Sequence, residues 1–372
     1  MTEYKKQHYV PQFYFRFFST DGINVNIYNL NQRKIFRGSI KNTCCKPFFY
    51  SKNNEIEKCF RELEEKQARV LKKILQDESI LTLTREEYYT FLLSFILFQL
   101  SRTATERKKA KELTNIFSEE VIKPLFLSSR RTEDLNKSKK MLDDFKITFP
   151  GDHLMNMSIS LESIPLISDL VPILLVNKTE SNFIFSDNPV LRHNTFFNHV
   201  KNRGTKGFYT TGLQIFCPLD DKHMLMFFDS DFYDIKLNHP NLVEIKNETD
   251  IESLNSLQYL YCDENIFFSS DKNTKYIEIL HNKLSGLNKK ERIENEKMIF
   301  QIDEKSHAEI LHTFTGNINY SLKLSFLELK KTKRKLGVRN PELLEIHREL
   351  TDKQFKNNSK TIQKYPNNSQ FI

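Results

Sequence analysis

The longest apolar stretch of the chain is Phe91-Leu92-Leu93-Ser94-Phe95-Ile96-Leu97-Phe98-Gln99-Leu100. We expect the rest of the fold to pack around this stretch. Thr84 lies shortly before this run and Glu87 follows three residues later, which is the spacing of a capping box at a helix start. We therefore predict a helix over residues 84–123. Its first half is apolar on most faces, which indicates a buried central helix, whereas its charged second half should emerge into solvent.

Alternating apolar and polar residues predict β-strands on both sides of this helix. Residues 25–30 and 34–40 follow the turn signal Asp21-Gly22 and should form a hairpin. A sheet is predicted from strands at 173–176, 183–185, 213–217, 224–228 and 243–245, and further helices at 54–76, 151–169 with a break at Pro165, 250–262 and 276–284. The prediction is an α+β fold, with central buried helices packed on a mostly antiparallel sheet and a small N-terminal β element.

The net charge of +8 is concentrated at the C-terminal end of the chain. Residues 320–372 contain 12 Lys and Arg against five Asp and Glu. We predict a single α+β domain over residues 1–319 and a basic, partly disordered helical extension over residues 320–372. The run Lys330, Lys331, Lys333 and Arg334 could hold a nucleic-acid backbone. A solvated surface helix with a frayed end is the alternative.

Several classes of protein fit poorly with this composition. Only 9 Gly are present, and neither a GxxxxGK[ST] loop nor a GxGxxG loop occurs. The five Cys include no CxxC pair, so reduced cytosolic thiols fit better than disulfides or a structural zinc site. The first residues are polar, and the longest apolar run is too short to span a bilayer. We expect a cytoplasmic protein without membrane segments.

The first candidate site motif is His8-Tyr9-Val10-Pro11-Gln12-Phe13-Tyr14-Phe15-Arg16. Pro11 fixes an extended or turn geometry near His8. A histidine can act as a general acid or base at neutral pH, so His8 is a catalytic candidate and Arg16 a substrate-binding one. The alternative is that His8 caps a helix or donates to a carbonyl.

The second candidate motif is the pair Gln99 and Arg102, which are three residues apart and share a helix face. A charge placed after an apolar run is costly unless it is paired or faces a cleft. Arginine is also well shaped to bind a phosphate or a carboxylate. The alternative is a buried ion pair that holds the helix in place.

The third candidate motif is Ser186-Asp187-Asn188-Pro189, which follows a predicted strand. Residues on a tight turn after a strand often carry chemistry, so Asp187 is a catalytic candidate and Ser186 and Asn188 are substrate-binding candidates. The alternative is that Ser186 and Asp187 only build the turn.

Two weaker signals come from predicted helices. Glu65 belongs to a glutamate-rich stretch and could join Asp187 as a metal ligand, although charge runs on helices are usually solvated. Asn255 and Gln258 are three residues apart, and they either line a site or lie on the surface. We include Asn255 among the substrate-binding candidates.

Together these motifs resemble the bacterial family of domain of unknown function 4238. Residues 8–16 match its opening, with Phe15 where Leu is usual, and Gln99, Arg102 and Thr103 match its Gln-x-x-Arg-Thr element. Residues 186–190 match its Ser-Asp-Asn-Pro-Val element, and the resemblance covers residues 6–270. It implies that His8, Gln99, Arg102 and Asp187 recur as a set and therefore share one polar site.

From this set we predict a pocket in which Asp187 orients His8, His8 acts as general base or acid, and Arg102 holds an anionic group. Gln99 completes the set. This inventory suits phosphodiester chemistry better than acyl transfer, because no GxSxG elbow occurs. The leading hypothesis is a nuclease-like enzyme that prefers RNA, as the toxic effector of a bacterial anti-phage or toxin system. Dependence on Mg²⁺ or Mn²⁺ is left open.

Two alternative functions use the same residues differently. A non-enzymatic sensor would bind a nucleotide or another small anion in the same pocket and would signal to a partner protein or a second copy of the chain. A nucleic-acid-binding protein without catalysis would rely on the basic extension.

Overall fold

The computed structural model describes residues 6–52, 54–128, 142, 151–200, 203–287, 293–301, 307–318, 320–331 and 335–363. The described helices are α1 Gln12–Phe17, α2 Asn54–Asp77, α3 Leu93–Ser101, α4 Ala104–Phe117, α5 Lys123–Ser128, α6 Asp152–Glu162, α7 Glu248–Tyr261, α8 Thr274–Leu284 and α9 Pro341–Gln363. The described strands are β1 Lys6–His8, β2 Asn24–Asn29, β3 Lys34–Ser39, β4 Cys45–Pro47, β5 Val171–Asn177, β6 Phe185–Ser186, β7 Leu191–His193, β8 Gln214–Pro218, β9 His223–Phe228, β10 Tyr233–Ile235, β11 Leu242–Ile245, β12 Asn265–Phe268, β13 Ile293–Gln301, β14 His307–Thr315 and β15 Leu327–Leu329. The fold is α+β, as the sequence predicted.

A five-stranded sheet lies at the centre of the fold, in the order β11-β5-β9-β8-β7. β11 pairs with β5 in parallel, and the other neighbours pair antiparallel. Successive residues of a strand point to opposite faces. On β5, Leu174 and Val176 belong to the core that contains α3, whereas Ile173 and Leu175 belong to the core that contains α7. Both faces are therefore buried, which explains why these strands are apolar throughout.

The N-terminal hairpin is confirmed, but it is part of a larger sheet. β2 and β3 pair antiparallel, and β2 also pairs with β12, giving the order β3-β2-β12-β6. The strands expected to form one sheet between 173 and 245 are therefore divided between two sheets, because β6 belongs with β12. Aromatic packing accounts for this, because Phe267 of β12 lies 4.9 Å from the rings of both Phe15 and Phe185.

The helix predicted over residues 84–123 begins as expected but is interrupted. The capping box is confirmed, since Thr84 N donates to Glu87 Oε2 at 2.8 Å and Glu87 N donates to Thr84 Oγ1 at 3.2 Å. A π-helical turn, Glu87–Leu92, then leads into α3. At Thr103 the backbone is extended, with φ −72° and ψ 164°, and its hydroxyl accepts from Glu106 N at 3.3 Å. Thr103 thus caps a new helix, and the prediction of one continuous helix is wrong.

The C-terminal part departs from the predicted helix after Leu322. Leu322, Leu324 and Phe326 are buried in the core of the five-stranded sheet, and β15 pairs antiparallel with β10. Their spacing of two residues is the period of a strand, and a helix begins at Pro341 instead. The antiparallel hairpin of β13 and β14 was not predicted. The domain boundary at residue 319 stays a prediction.

Membrane insertion finds no support in the helices. Within the described ranges, none of them has both the length and the apolar character that crossing a bilayer requires.

Candidate functional site

Arg102 is the centre of a buried clamp between distant parts of the chain. Its side chain is 3% exposed, and Nη1 lies 2.7 Å from Glu64 Oε1 of α2. Nε donates to Tyr50 Oη at 3.0 Å, and Nη2 donates to the carbonyl of His8 at 2.7 Å. The guanidinium also lies 4.6 Å from the centroid of the Phe98 ring. All three nitrogens of the guanidinium are thus engaged by protein groups, and the predicted role of Arg102 in holding a substrate anion stays a prediction.

Gln99 and His8 complete this clamp, which we call the Arg102 clamp. Gln99 is buried, and Nε2 donates to the carbonyl of Tyr9 at 3.1 Å. His8 Nε2 lies 3.2 Å from the carbonyl of Lys41. Burial lowers the pKa of His8 to about 4, although the hydrogen bond with Lys41 opposes the change. His8 is therefore neutral at pH 7 and engages a carbonyl, which was the alternative reading of this motif.

Asp187 is the centre of a second clamp, which we call the Asp187 clamp. One carboxylate oxygen accepts from Asp263 N at 2.8 Å, and the other accepts from Glu264 N at 2.7 Å and Asn265 N at 3.0 Å. Burial raises the pKa of Asp187 to about 6, while these three amide hydrogen bonds lower it. The carboxylate therefore fixes the turn between α7 and β12.

The neighbours of Asp187 tie β6 and the turn after it to α7. Ser186 N donates to Gln258 Oε1 at 3.0 Å, and Gln258 Nε2 donates to the carbonyl of Pro189 at 2.9 Å. Asn255 Oδ1 accepts from Ile184 N at 3.1 Å. All these side chains of α7 are buried, so Asn255 and Gln258 anchor the β6 strand and its turn to the helix.

The predicted His8–Asp187 pair is not formed. Both carboxylate oxygens of Asp187 accept from backbone amides, and Nε2 of His8 lies against the carbonyl of Lys41, so the expectation that Asp187 orients His8 is wrong. The clamps are nevertheless neighbours: burial, and next the Asp187 carboxylate, raise the pKa of Cys44, whose carbonyl accepts from Tyr9 N at 2.9 Å. The catalytic roles assigned to His8, Gln99, Arg102 and Asp187 stay predictions.

The remaining predicted residues lie apart from these clamps. Arg16 is exposed and contacts Gln12 at 3.4 Å, and Glu65 is exposed on α2. Lys330 pairs with Asp234 at 3.0 Å, and Lys331 is exposed. Lys333 and Arg334 lie outside the described residues.

A metal site at Asp187 and Glu65 is not supported. Across the described ranges, no group of three or more His, Cys, Asp or Glu side chains is placed to hold a metal ion.

A cavity of about 500 Å³ opens beside both clamps, and we call it the α4 cleft. Its walls are the start of α4, the turn after Asp187, the loop over residues 204–210, the end of α7 and strand β14. It is lined by Leu100, Thr103, Thr105, Glu106, Lys108, Lys109, Glu112, Asn188, Val190, Leu191, Arg192, Gly204, Lys206, Gly207, Tyr209, Thr210, Tyr261, Cys262, Asp263, His312, Thr313, Phe314 and Thr315. Thr103 and Asn188 bring the second and third motifs to its wall.

Four cationic side chains reach the α4 cleft. Lys108 pairs with Asp263 at 2.6 Å, and Lys109 pairs with Glu106 at 2.8 Å. The Lys206 residue is 7% exposed, and its Nζ lies 5.3 Å from the centroid of the Tyr261 ring.

Arg192 differs from the cleft lysines. Its guanidinium lies 4.8 Å from the centroid of the Phe208 ring, and no described carboxylate pairs with it. A face of the cleft thus presents a cation held in place by an aromatic ring.

The position of Asn188 shows how the third motif supports the cleft. Its side-chain nitrogen donates to Thr105 Oγ1 at 2.9 Å and to the carbonyl of Tyr261 at 2.8 Å. These bonds join the α4 start to the α7 end, which are two walls of the cleft. The predicted binding role of Asn188 stays a prediction, but its amide is engaged in holding the walls together.

Lys108, Arg192, Lys206 and His312 are candidate site residues that the sequence did not predict. Arg192 follows the third motif by a few residues, and this closeness is a weak signal that it belongs to the same site. His312 lies on a hairpin that was not predicted, and its ring stacks with Phe314 at 5.3 Å between centroids. No spacing rule connects residues so far apart along the chain.

Comparison with known proteins agrees with the motifs. The model of a family described as "Protein of unknown function (DUF4238)" matches residues 6–272. That range contains all three motifs and four of the five walls of the α4 cleft, while β14 lies beyond it. No curated protein and no solved structure matches the chain.

Proposed function

The chain belongs to the DUF4238 family, whose description assigns no activity, and we propose from the geometry that the α4 cleft binds a nucleotide or the terminal nucleotide of a nucleic acid. The observation that carries the proposal is Arg192, which lines the cleft without a described carboxylate partner. A guanidinium presents a planar fork of donors that matches the oxygens of a phosphate. Its contact with Phe208 holds this fork in place before the ligand arrives.

The other cleft residues support a ligand that is more than a bare phosphate. Tyr209 and Tyr261 offer aromatic faces on which a base can stack. Glu106 and Asp263 offer carboxylates that can accept from ribose hydroxyls or base amines. A volume of about 500 Å³ lies within the usual range for small-molecule sites. Because the cleft combines cations, carboxylates and aromatic rings, a nucleotide fits it better than a simple anion does.

Binding is tested by isothermal titration of the full chain with ATP, GTP and a 5′-phosphorylated RNA hexamer. We expect Arg192→Ala to raise the Kd about 10- to 100-fold, because a charged hydrogen bond contributes about 1.5–3 kcal/mol. Arg37→Ala is the matched control, since Arg37 is exposed on the N-terminal hairpin and pairs with Asp21. If wild type binds none of the three probes, or if both variants bind as wild type does, the proposal is wrong.

Phosphodiester cleavage is the second candidate function, and the position of His312 favours it. This imidazole lines the same cleft as Arg192, so a general acid or base and a phosphate-binding cation share one cavity. Such an enzyme would act on nucleic acid in the cytoplasm, with RNA preferred, as a toxic effector of anti-phage defence. Metal dependence belongs to the same proposal.

Cleavage is tested with RNA and DNA substrates, with and without Mg²⁺ or Mn²⁺. We expect His312→Ala to lower the rate about 100-fold or more while ATP binding persists. His199→Ala is the control, because His199 is exposed and does not line the cleft. Loss of cleavage in a folded His8→Ala variant would instead assign the proton transfer to His8. Intact substrates under all conditions would exclude this candidate and leave nucleotide binding as the function to pursue.

A further inference from the structure

A segment of the C-terminal extension docks on the loop that forms one wall of the α4 cleft. Arg339 N donates to the carbonyl of Tyr209 at 2.7 Å, and Thr211 N donates to the carbonyl of Gly337 at 3.0 Å. Thr210 and Val338 form an antiparallel β-bridge. Residues 337–339 therefore add a short pairing partner to the loop.

The side chain of Arg339 makes this docking specific. It is 4% exposed and forms a two-pronged pair with Asp169, in which Nε lies 2.9 Å from Oδ2 and Nη2 lies 2.9 Å from Oδ1. Nη1 donates to the carbonyl of Thr210 at 3.0 Å, and Nη2 donates to the carbonyl of Phe208 at 3.0 Å. One guanidinium thus ties the loop to the segment that precedes β5.

The base of the same loop has its own anchors. Asn194 Nδ2 donates to the carbonyls of Thr205 at 2.7 Å and Thr211 at 2.9 Å. Gly212 N donates to Asp229 Oδ2 at 2.7 Å, and its φ of +73° favours glycine. These bonds close the loop ends, whereas the carbonyls of Phe208 and Thr210, near its tip, are bound by Arg339.

The geometry points to a latch: residues 337–339 hold the loop, and Arg339 is a positioning residue for the ligand site of the α4 cleft. This inference rests on the proposed nucleotide site. Phe208, whose carbonyl Arg339 binds, carries the ring against which Arg192 lies. Tyr209 and Thr210, the next residues, line the cleft. Release of the latch therefore leaves Phe208, whose ring supports Arg192, less firmly held. The affinity for the ligand then falls although every residue that contacts the ligand is still present.

The latch also gives the extension a role separate from its charge. Arg339 lies beyond residues 6–272, which the family model matches. The extension would therefore control a site built mostly by the family region, and a partner that draws the segment away would switch that site off.

Hydrogen exchange of the full chain tests the latch without any ligand. In Arg339→Ala we expect peptides within 204–211 to exchange about tenfold faster, while peptides of β5, β8 and β9 stay as in wild type. Arg339→Lys should be intermediate, because lysine keeps the charge but lacks the fork. Arg348→Ala is the matched control, since Arg348 is exposed on α9 and pairs with Glu345. Titration with ATP should show a Kd raised about tenfold in Arg339→Ala.

The two measurements separate the latch from the proposed function. Unchanged exchange in 204–211 of Arg339→Ala overturns the latch, whatever the ligand data show. If wild type binds neither ATP nor phosphorylated RNA, the proposed function is wrong. Arg339 then has no role in ligand binding, even if faster hydrogen exchange in Arg339→Ala shows that it holds the loop. Should Arg339→Ala raise exchange throughout the chain, Asp169→Asn replaces it, because this variant weakens the fork but keeps the carbonyl bonds. Wild-type exchange in Asp169→Asn would then count against the latch.

Discussion

The Arg102 clamp and the Asp187 clamp both bury a charged side chain, but they satisfy it by opposite means. Arg102 meets a full negative charge, Glu64, together with a hydroxyl and a carbonyl. Among the described residues, no cation pairs with Asp187, and three backbone amides hold its carboxylate. A guanidinium has five donors and needs several acceptors, whereas a carboxylate can be satisfied by a turn of the backbone alone.

This difference has consequences for stability. Removing one partner of a buried ion pair leaves the other charge uncompensated, which is costly. Removing the charge of Asp187 also removes the free-energy cost of burying that charge. Burial raises the pKa of Asp187 to about 6, which is the sign of such a cost. The Arg102 clamp should therefore tolerate change less well than the Asp187 clamp.

The largest effect is expected from Arg102→Met. This change leaves Glu64 without its partner and deprives the carbonyl of His8 of one donor, so the free energy of unfolding should fall by about 3–5 kcal/mol. Urea denaturation measures it. Arg69→Met on the exposed face of α2 is the control and should stay within about 0.5 kcal/mol of wild type. An equally small loss in Arg102→Met would show that the clamp does not stabilise the fold.

A smaller effect is expected from Asp187→Asn. The amide keeps the shape of the side chain but has one acceptor oxygen for three amide donors, so the loss should be about 1–3 kcal/mol. Asp77→Asn, at the exposed end of α2, serves as the control in the same denaturation series. A loss as large as that of Arg102→Met would reverse the comparison between the two clamps.

The smallest effect is expected from pH. Burial lowers the pKa of both His8 and His153 to about 4, against about 6.5 in the unfolded chain. Between these values the unfolded state binds more protons, so the free energy of unfolding falls as pH drops from 6.5 towards 4. Asp187 acts in the opposite direction, because its raised pKa lets the folded state bind a proton first between about 6 and 4.

Two histidines should outweigh one aspartate, so the urea midpoint should be lower at pH 5 than at pH 7.5. His153→Phe can keep the stacking against Tyr50, 5.8 Å between centroids, while removing one titrating group. We expect this variant to lose more than half of the net pH dependence, because Asp187 still opposes the one histidine that remains. Equal midpoints at both pH values in wild type would contradict the expectation that protonation of the two histidines outweighs that of Asp187 and destabilises the folded state.

The helix starts and the N-terminal hairpin could be predicted because their signals are local. Thr84 and Glu87 specify a cap within three residues, and β2 and β3 follow one turn. The break after Arg102 carried the same signal, since Thr103 and Glu106 repeat the Thr-x-x-Glu spacing. The apolar run before this break predicts one continuous helix, and that longer pattern obscures the second cap.

The motif residues could be predicted as important, but their roles could not. Sequence cannot tell whether a buried Arg102 faces a ligand or a carbonyl, because both satisfy the same donors. The cleft lies next to the motifs and includes Thr103 and Asn188, but its cations come from α4, β7 and a loop, and its imidazole comes from β14, which tertiary structure alone brings together. Long-range packing determines which residues line the cleft, and such packing produces no periodic pattern in the sequence.

The pairing of β2 with β12 sets a condition on how the chain is synthesised. Asn29 and Asn265 are partners in this pairing although they are 236 residues apart. At about 5–20 residues per second, translation takes roughly 12–47 s to cover that distance. Until then the edge of β2 lacks its partner strand and can pair with other chains. The N-terminal hairpin is therefore exposed to mispairing while the chain is being made, and slow translation would lengthen that exposure.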